Sequence, residues 1–238
     1  MYSTNYIVTF ILILTATVAV ALTGLREITK EKADLNKEIF EKRAILSAVE
    51  DHLPQKVKQL SDEDVLDVFG GIEQITLDMS GSPIEGDVQA EDIDMAKEKK
   101  KPESERKLPL FIYEKDGQKY YIISVRGNGL WDEIWGNIAL EGDLNTITGA
   151  AFDHMGETPG LGAEIKDNPQ FARKFKGVKI YDDGGEFVSV KVRKGGAKDT
   201  NHEVDGISGA TVTCDGVSEM LYRGIKYYEP FFQTLKQS

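Results

Sequence analysis

The sequence predicts an α+β fold, with an N-terminal transmembrane helix and a helical stalk followed by a soluble domain with a mainly antiparallel sheet. Three observations support this prediction. Residues 6–25 form an apolar stretch without a charged side chain, and a strongly charged segment follows it. From Leu108 onward, short apolar runs follow one another in hairpin order, separated by turns rich in glycine and aspartate. Helical segments are few and do not alternate with the strands, which disfavours a nicotinamide-type dinucleotide fold.

The composition excludes several functional classes. The 238 residues are 40% hydrophobic and 29% charged, which is ordinary for a globular protein with a hydrophobic core. The formal net charge of −11 repels nucleic-acid phosphates, so no nucleic-acid partner is expected. The single cysteine, Cys214, rules out an intrachain disulfide, an iron–sulfur cluster and a thiolate zinc site. The three histidines lack metal-ligand spacing, so we expect no metal site.

The apolar stretch at residues 6–25 predicts a transmembrane helix, which a short tail at residues 1–5 precedes. Such a helix is about 30 Å long and matches the hydrocarbon core of a bilayer. A cleavable signal peptide is the alternative, because Ala19 and Ala21 offer a small-x-small cleavage site. The first five residues carry no lysine or arginine, and the apolar run exceeds a typical signal core. We therefore favour an uncleaved anchor.

The rest of the chain divides by charge and apolar content. Residues 26–52 are strongly charged but keep one weak apolar stripe, which predicts a helical stalk. The soluble domain is expected at 53–238, beginning with a helix, turns and a strand before Asp87. Residues 89–107 contain almost nothing to bury, so we predict a solvated charged loop or helix there.

The core of the soluble domain reads as strands with few helices. Residues 110–113 and 120–125 flank an Asp116-Gly117 turn and predict a hairpin. The turn residues 182–185 are expected to join the last pair of strands. Further predicted strands cover residues 134–140, 146–152, 178–181 and 187–193, and predicted helices cover residues 168–175 and 213–231.

The stretch Asp205-Gly-Ile-Ser-Gly-Ala-Thr211 stands immediately before an amphipathic helix. Its two glycines and two hydroxyl residues are typical of a loop that brings backbone amides close to a phosphate. Ser208 adds a hydroxyl donor, and Gly209 removes a Cβ that would hold the phosphate away. From the residues alone, an ordinary helix cap remains the alternative, with Thr213 or Asp215 as the N-cap.

A second glycine-rich motif is Glu157-Thr-Pro-Gly-Leu-Gly162. Pro159 fixes one φ angle, while Gly160 and Gly162 permit left-handed turns on either side of Leu161. This pattern predicts backbone groups and a leucine placed against a flat ligand, or alternatively a tight surface turn.

Both tryptophans of the chain lie between Gly127 and Gly136. Tryptophans near a ligand cover aromatic ring systems, but most are simply part of the core. We expect Trp135 in the core and leave both interpretations open for Trp131.

These residues carry a resemblance to a known family. The stretch Asp205–Thr211 resembles the flavinylation motif of FMN-binding domains, in which the phosphate of FMN is joined to the final threonine. The run Glu157–Gly162 resembles the second signature of the same domains. The Gly129-Leu130-Trp131 segment is similar, more narrowly, to the C-type subunits of the sodium-translocating NADH:quinone oxidoreductases, as are the anchor and the charged helix after it.

The resemblance implies a site without a catalytic acid or base and without a metal. Thr211 would be the covalent attachment point of FMN, through a phosphoester, and Asp205 would help a flavin transferase to recognise the loop. The residues that the resemblance assigns to cofactor binding are Asp205, Ser208, Gly209, Ala210, Glu157, Thr158, Gly160, Leu161, Gly162, Leu130 and Trp131.

The implied function is that of a membrane-anchored flavoprotein subunit of a Na+-transporting NADH:ubiquinone reductase. It would relay single electrons between an iron–sulfur centre and another flavin. The implied partners are the membrane and flavoprotein subunits of the complex, and a flavin transferase during maturation. Two alternatives stay open, namely the G-type subunit of the ion-translocating ferredoxin:NAD oxidoreductase and a flavin-free anchored scaffold.

The orientation of the anchor is predicted differently by two criteria. Arg26, Lys30 and Lys32 follow the apolar stretch, so the positive-inside rule keeps the soluble domain in the cytoplasm. The resemblance instead implies a single-pass protein of the bacterial inner membrane with a periplasmic domain. We adopt the orientation implied by the resemblance.

Overall fold

The first element of the chain is a helix of 44 residues, α1 (Thr4–Ser47). Among the described residues, α1 is the one helix long and apolar enough to cross a membrane, with a mean hydropathy of 2.4 over its most apolar window. Threonines within it return their hydroxyls to carbonyls one turn earlier, as Thr17 Oγ1 does to Ile13 O at 2.8 Å. An apolar helix of this length near the N-terminus fits a single-pass membrane anchor.

The structure, a computed structural model, describes residues 3–86 and 88–237. Met1 and Tyr2 of the predicted tail, Asp87, and Ser238 of the predicted domain lie outside the described residues. The chain divides into two compact units, Met1–Lys42 and Arg43–Ser238. The second unit contains the sheet and every residue predicted to bind a cofactor.

A five-stranded antiparallel sheet forms the centre of the second unit and confirms the predicted α+β class. Its strands follow one another in chain order, so each pairs with its sequence neighbours. The predicted hairpin turn is present, with positive φ angles of 53° at Asp116 and 78° at Gly117. The strands are β1 (Glu73–Leu77), β2 (Leu108–Lys115), β3 (Gln118–Asn128), β4 (Glu133–Leu140) and β5 (Ile147–His154).

The register of this sheet brings two loops to one edge. Asn128 at the end of β3 pairs with Glu133 at the start of β4, and Ile134 pairs with His154 at the end of β5. The β3–β4 connection and the segment after β5 therefore emerge side by side. These are the segments that carry the predicted tryptophan and Glu157–Gly162 motifs.

The strands predicted at residues 178–181 and 187–193 are mostly absent. The first forms only isolated bridges, and the second contributes the short strand β6 (Lys191–Arg193), which pairs in parallel with β7 (Glu203–Asp205). The physical reason is local, because Ser189 has a φ of 59° that interrupts the extended backbone. The amides of Val188 and Ser189 both donate to the carbonyl of Ile180, and the predicted ladder does not continue.

The predicted helices differ from the observed ones in their bounds. Asn168 caps a helix that starts at Pro169, and a separate short helix precedes it. The long C-terminal helix predicted at 213–231 starts two residues earlier and is divided before Pro230. The helices after α1 are α2 (Asp62–Gly70), α3 (Met95–Glu98), α4 (Glu164–Asp167), α5 (Pro169–Arg173), α6 (Thr211–Lys226) and α7 (Glu229–Gln237).

The charged segment at residues 89–107 is more closely tied to the domain than predicted. It contains α3 and two short 3-10 turns, at Ala90–Asp92 and Glu103–Glu105. Glu98 is buried and accepts a hydrogen bond from the amide of Lys107 at 3.0 Å. Arg106 donates to the Tyr227 hydroxyl at 3.0 Å. Polar contacts, which apolar content does not reveal, hold this segment in place.

The helix α6 packs its apolar stripe onto the core beside β3. Its buried residues recur at helical spacing and meet buried residues of the sheet such as Ile123 and Val125. Tyr228, one residue beyond the C-cap, is fully buried, and its hydroxyl donates to Pro109 O at 2.8 Å and lies 3.2 Å from Ser124 O. The C-terminal end of α6 is therefore fixed to the sheet.

Replacing Tyr228 by phenylalanine tests this attachment. The substitution leaves two buried carbonyls without the hydroxyl, so the free energy of unfolding is expected to fall by about 1–2 kcal/mol. Urea unfolding of the full chain in detergent, followed by tryptophan fluorescence, measures the change. The matched control Tyr222→Phe alters an exposed tyrosine and is expected to stay within about 0.5 kcal/mol of the parent. Equal losses in the two variants would contradict the attachment.

Candidate functional site

The N-terminus of α6 is open to an anion. The helix begins at Thr211 with Ala210 as its N-cap and has no side-chain cap. The alternative N-caps Thr213 and Asp215 are both wrong, since each lies inside the helix. The first helical hydrogen bond runs from Cys214 N to Ala210 O at 2.9 Å. Within the described part of the chain, the amides of residues 211–213 have no hydrogen-bond partner, and these are the groups that favour a phosphate.

The loop before α6 is fixed at both ends and exposed in the middle. Ile207 N donates to the Sγ atom of Cys214 at 3.3 Å, and Ala210 N donates to Ile207 O at 3.2 Å. Between these points Ser208 and Gly209 are exposed, and Gly209 has a φ of 80° that an L side chain rarely adopts. The loop therefore presents its serine hydroxyl and its glycine backbone next to Thr211.

Asp205 lies at the start of this loop, at the end of β7. Its Oδ1 accepts a hydrogen bond from Ala197 N at 2.7 Å, and its carbonyl accepts one from Lys174 Nζ at 3.1 Å. The carboxylate thus orders its own loop, and the residue stays exposed on the surface. That position is compatible with recognition by another protein.

The carboxylate of Glu157 joins three segments of the site. Glu157 is only 4% exposed, its Oε1 accepts from Trp131 N at 2.9 Å, and its Oε2 accepts from Thr213 Oγ1 at 2.6 Å. The backbone amides of residues 130 and 132 also favour its charged form. Burial by itself raises the pKa of this carboxyl, but the bonds from Thr213 and the three amides outweigh burial and lower the pKa below its ordinary value. Glu157 is therefore ionised at neutral pH.

Two glycines make room for this carboxylate. A Cβ at Gly129 would collide with Glu157 Oε1, and a Cβ at Gly162 would collide with Oε2. The Cβ at Gly162 would also lie 2.6 Å from Thr213 Oγ1. The close approach of the loops to the carboxylate thus explains a glycine in each of the two motifs.

Large apolar side chains form an exposed rim around the start of α6. Leu130 is 51%, Trp131 69% and Leu161 41% exposed, so the core interpretation of Trp131 is wrong. Trp131 Nε1 donates to Thr158 Oγ1 at 3.1 Å. This hydrogen bond links the loop after β3 to the segment after β5, in addition to the bonds to Glu157. A Cβ at Gly209 would lie 2.8 Å from Leu161 Cδ2, so Leu161 contacts the loop before α6. We call Leu130, Trp131 and Leu161 the apolar rim.

The remaining predicted residues also lie in this region. Gly160 has a φ of 75° in the turn that exposes Leu161, and His154 accepts a hydrogen bond from Glu157 N at 3.2 Å through Nδ1. Trp135, expected in the core, is only half-buried, with the Arg126 guanidinium 4.7 Å from its ring centroid. All three motifs thus converge on one end of α6, although they are distant in sequence.

Sequence reasoning misses two residues of the site. The sequence pattern marks Thr213 only as a helix cap, whereas its side chain is buried and donates to Glu157. Residues two apart on a helix point in different directions, so the spacing of Thr211 and Thr213 is a signal that the two hydroxyls have different roles. Lys174 follows α5, and its ammonium contacts the loop at Asp205. No sequence pattern marks Lys174.

Comparison with known proteins identifies the family. The model of the FMN-binding domain matches residues 129–226, a range that contains all three motifs. The crystal structure of the C-type subunit of the Na+-translocating NADH-quinone reductase from Parabacteroides distasonis matches with a TM-score of 0.74 and 36% identity, covering 85% of this chain and 96% of that chain. This chain belongs to the FMN-binding domain family. A crystal structure of NqrC from Shewanella oneidensis matches with a TM-score of 0.71 and 28% identity, covering 85% of this chain and all of that chain.

Curated relatives are also similar to this chain in sequence. The C-type subunit of the Na+-translocating NADH-quinone reductase from Pseudomonas aeruginosa is 40% identical over 141 residues, or 56% of this chain and 53% of the relative. The protein of the same name from Vibrio anguillarum is 41% identical over 118 residues, or 48% of this chain and 46% of the relative. The matched stretches thus span about half the length of these curated relatives.

Thr213→Val tests the bond that joins α6 to Glu157. The substitution removes the hydroxyl that donates to a buried carboxylate, so we expect the free energy of unfolding to fall by about 1–3 kcal/mol at neutral pH. The matched control Thr211→Val changes a half-buried threonine and is expected to cost less than about 0.5 kcal/mol. All chains are made without cofactor and compared by urea unfolding. Equal losses in the two variants would contradict a specific role for the Thr213 hydroxyl.

The pH dependence of the Thr213→Val loss provides a second check. Thr213 lowers the pKa of Glu157, so its stabilisation is present above the unfolded value of about 4.5 and is lost as the pH falls through the lower folded value. The stability difference between the parent and Thr213→Val should therefore shrink below pH 4.5. A difference that stays constant as the pH falls would contradict the ionised pairing.

Cys214 is expected to be chemically inert in the folded chain. It is buried, and burial raises the pKa of its thiol, so the reactive thiolate is scarce at neutral pH. A thiol-reactive chromogenic disulfide should label Cys214 at least about tenfold more slowly in the folded chain than in urea. Equal labelling rates in both conditions would show that the loop over Cys214 is open.

Proposed function

We propose that this chain is a membrane-anchored flavoprotein subunit of a Na+-translocating NADH–quinone reductase, carrying FMN through a phosphoester to Thr211. The observation that carries the proposal is the uncapped N-terminus of α6. Thr211 is its first residue, the next two amides are free among the described residues, and the apolar rim stands beside it. The attachment forms a bond between Thr211 Oγ1 and the phosphorus of FMN, with loss of the threonine proton and of the group that the oxygen displaces from phosphorus, so the chain gains the mass of FMN less one water.

The site residues fit the parts of FMN. The free amides of residues 211–213 and the Ser208 hydroxyl are donors for the phosphate, and Gly209 keeps the loop open next to it. The apolar rim has the size and exposure to cover one face of a flat ring system. A covered face with an exposed edge suits electron exchange with other proteins, and bound FMN supplies electron transfer in single steps. The chain itself then needs no catalytic acid or base.

Membership of a larger complex is proposed from the relatives. The proteins from Pseudomonas aeruginosa and Vibrio anguillarum are both named as the C-type subunit of the Na+-translocating NADH-quinone reductase. Their names favour this assignment over the G-type subunit of a ferredoxin:NAD oxidoreductase. We propose that the chain passes electrons between an iron–sulfur centre and another flavin, held by neighbouring membrane and flavoprotein subunits, and that a flavin transferase modifies it during maturation. The FMN-binding family membership argues against a flavin-free scaffold.

We propose that α1 anchors the chain in the bacterial inner membrane as a single span. Its apolar N-terminal part supports this assignment, and the soluble domain would then lie in the periplasm as in the proposed complex. The basic residues after the apolar stretch favour the opposite orientation. Protease treatment of intact spheroplasts decides between the two, because a periplasmic domain is digested and a cytoplasmic one is protected.

Mass mapping of tryptic peptides tests the attachment. Thr211 lies on the fragment from Asp199 to Arg223, and after co-expression with a flavin transferase this fragment should gain the mass of FMN less water. Fragment ions should place the addition on Thr211 rather than on Ser208 or Thr213. The Thr211→Val chain should remain unmodified. An unmodified fragment from the parent chain, with the transferase active on a known substrate, would overturn the proposal.

A further inference from the structure

Three acidic residues lie on the segments that form the end of α6 predicted to carry the phosphate. The Glu157 carboxylate is buried against Thr213, two residues along the helix from Thr211. Asp215 is exposed one helical turn beyond Thr211, and Asp205 begins the preceding loop. Lys174 is a basic residue that contacts this loop, where its ammonium donates to the carbonyl of Asp205 at 3.1 Å, six residues before Thr211. Sites that bind phosphate without a covalent bond typically place arginine or lysine, rather than acidic residues, next to the phosphate.

The Glu157 carboxylate carries a larger charge than the helix end beside it. A helix N-terminus is equivalent to about half a positive charge. Glu157 brings a full negative charge to within a hydrogen bond of Thr213, from a position in which solvent screens it little. The carboxylate therefore outweighs the helix dipole. A free FMN phosphate carries nearly two negative charges, whereas a phosphate esterified to both flavin and threonine carries about one.

We propose that Glu157 makes this site a poor receptor for free phosphate ligands, so that FMN is retained by the covalent bond and not by electrostatic attraction. The inference rests on the proposed attachment of FMN to Thr211. Glu157 is then a positioning residue that lowers the affinity for free FMN, because the carboxylate that holds the loops together also repels an unattached phosphate. A site of this kind also rejects nucleotides and inorganic phosphate before it is modified.

Flavin titrations of variants that cannot form the ester test the proposal. Thr211→Val and the double variant Thr211→Val/Glu157→Gln are prepared as full chains in detergent and titrated with FMN and with riboflavin, which lacks the phosphate. Glutamine keeps an acceptor for the amides of residues 130–132, and its NH2 group can donate to Thr213. We expect Glu157→Gln to tighten FMN binding by at least about threefold and to leave riboflavin binding unchanged.

A matched control distinguishes the effect of removing the Glu157 charge from the effect of lowering the net charge of the chain. Glu98 is also a buried glutamate that accepts a backbone hydrogen bond, but its carboxylate binds Lys107 N and Lys101 Nζ, which are not residues of the site. Thr211→Val/Glu98→Gln should therefore bind FMN as Thr211→Val does. Unchanged or undetectable FMN binding in the Glu157→Gln variant would overturn the inference, as would an equal gain for riboflavin or an equal gain in the Glu98→Gln control.

If the Glu157→Gln variant does not fold, the salt dependence of FMN binding to Thr211→Val tests the inference instead. Added salt screens repulsion, so FMN affinity relative to riboflavin should rise with ionic strength. A site that attracts phosphate instead loses affinity as salt is added, and that result would overturn the inference. The outcome is separable from the proposed function. FMN found on Thr211 together with a contrary titration removes only this inference, whereas an unmodified Thr211 removes the proposed function whatever the titration gives.

Discussion

The buried Glu157 carboxylate is the interaction on which the rest of the candidate site depends. It accepts hydrogen bonds from the loop after β3 and from the first turn of α6, while belonging to the segment after β5. Hydrogen bonds to a buried charge are worth about 1.5–3 kcal/mol each, so the carboxylate contributes several kcal/mol to holding these three segments together. The glycines at 129 and 162 follow from this arrangement, because the carboxylate occupies the space of their side chains.

The sheet and α6 fix the position of these hydrogen-bonded loops relative to the core of the domain. The register of β3, β4 and β5 delivers both loops to one edge, and α6 runs from that edge along the core to Tyr228. Electron transfer between cofactors requires a constant distance and orientation, which a loop alone does not provide. A helix fixed at both ends provides them, and its first residue is the proposed attachment point.

The sheet order, the hairpin and the three motifs are predictable from the sequence, because each depends on local patterns of apolar and turn residues. The strands predicted around residues 178–193 are mostly absent, since Ser189 adopts a positive φ that no sequence pattern marks, and its amide donates to the carbonyl of Ile180. The predicted start of α6 is also wrong, because Thr213 reads as a cap but turns inward to a carboxylate 56 residues away in sequence. The inward direction of Glu157 is likewise a tertiary property, because it depends on hydrogen bonds from Trp131 and Thr213, which are distant from it in sequence.

A crystal structure of the full chain after modification by a flavin transferase would show directly where the flavin lies. We expect continuous electron density from Thr211 Oγ1 through the phosphate to a ring that lies against Leu161 and Trp131, with the bond between Thr213 and Glu157 intact. A ring placed instead in the cavity of about 330 Å³ beside Ser189 and Tyr222, with Leu161 and Trp131 uncovered, would contradict this expectation.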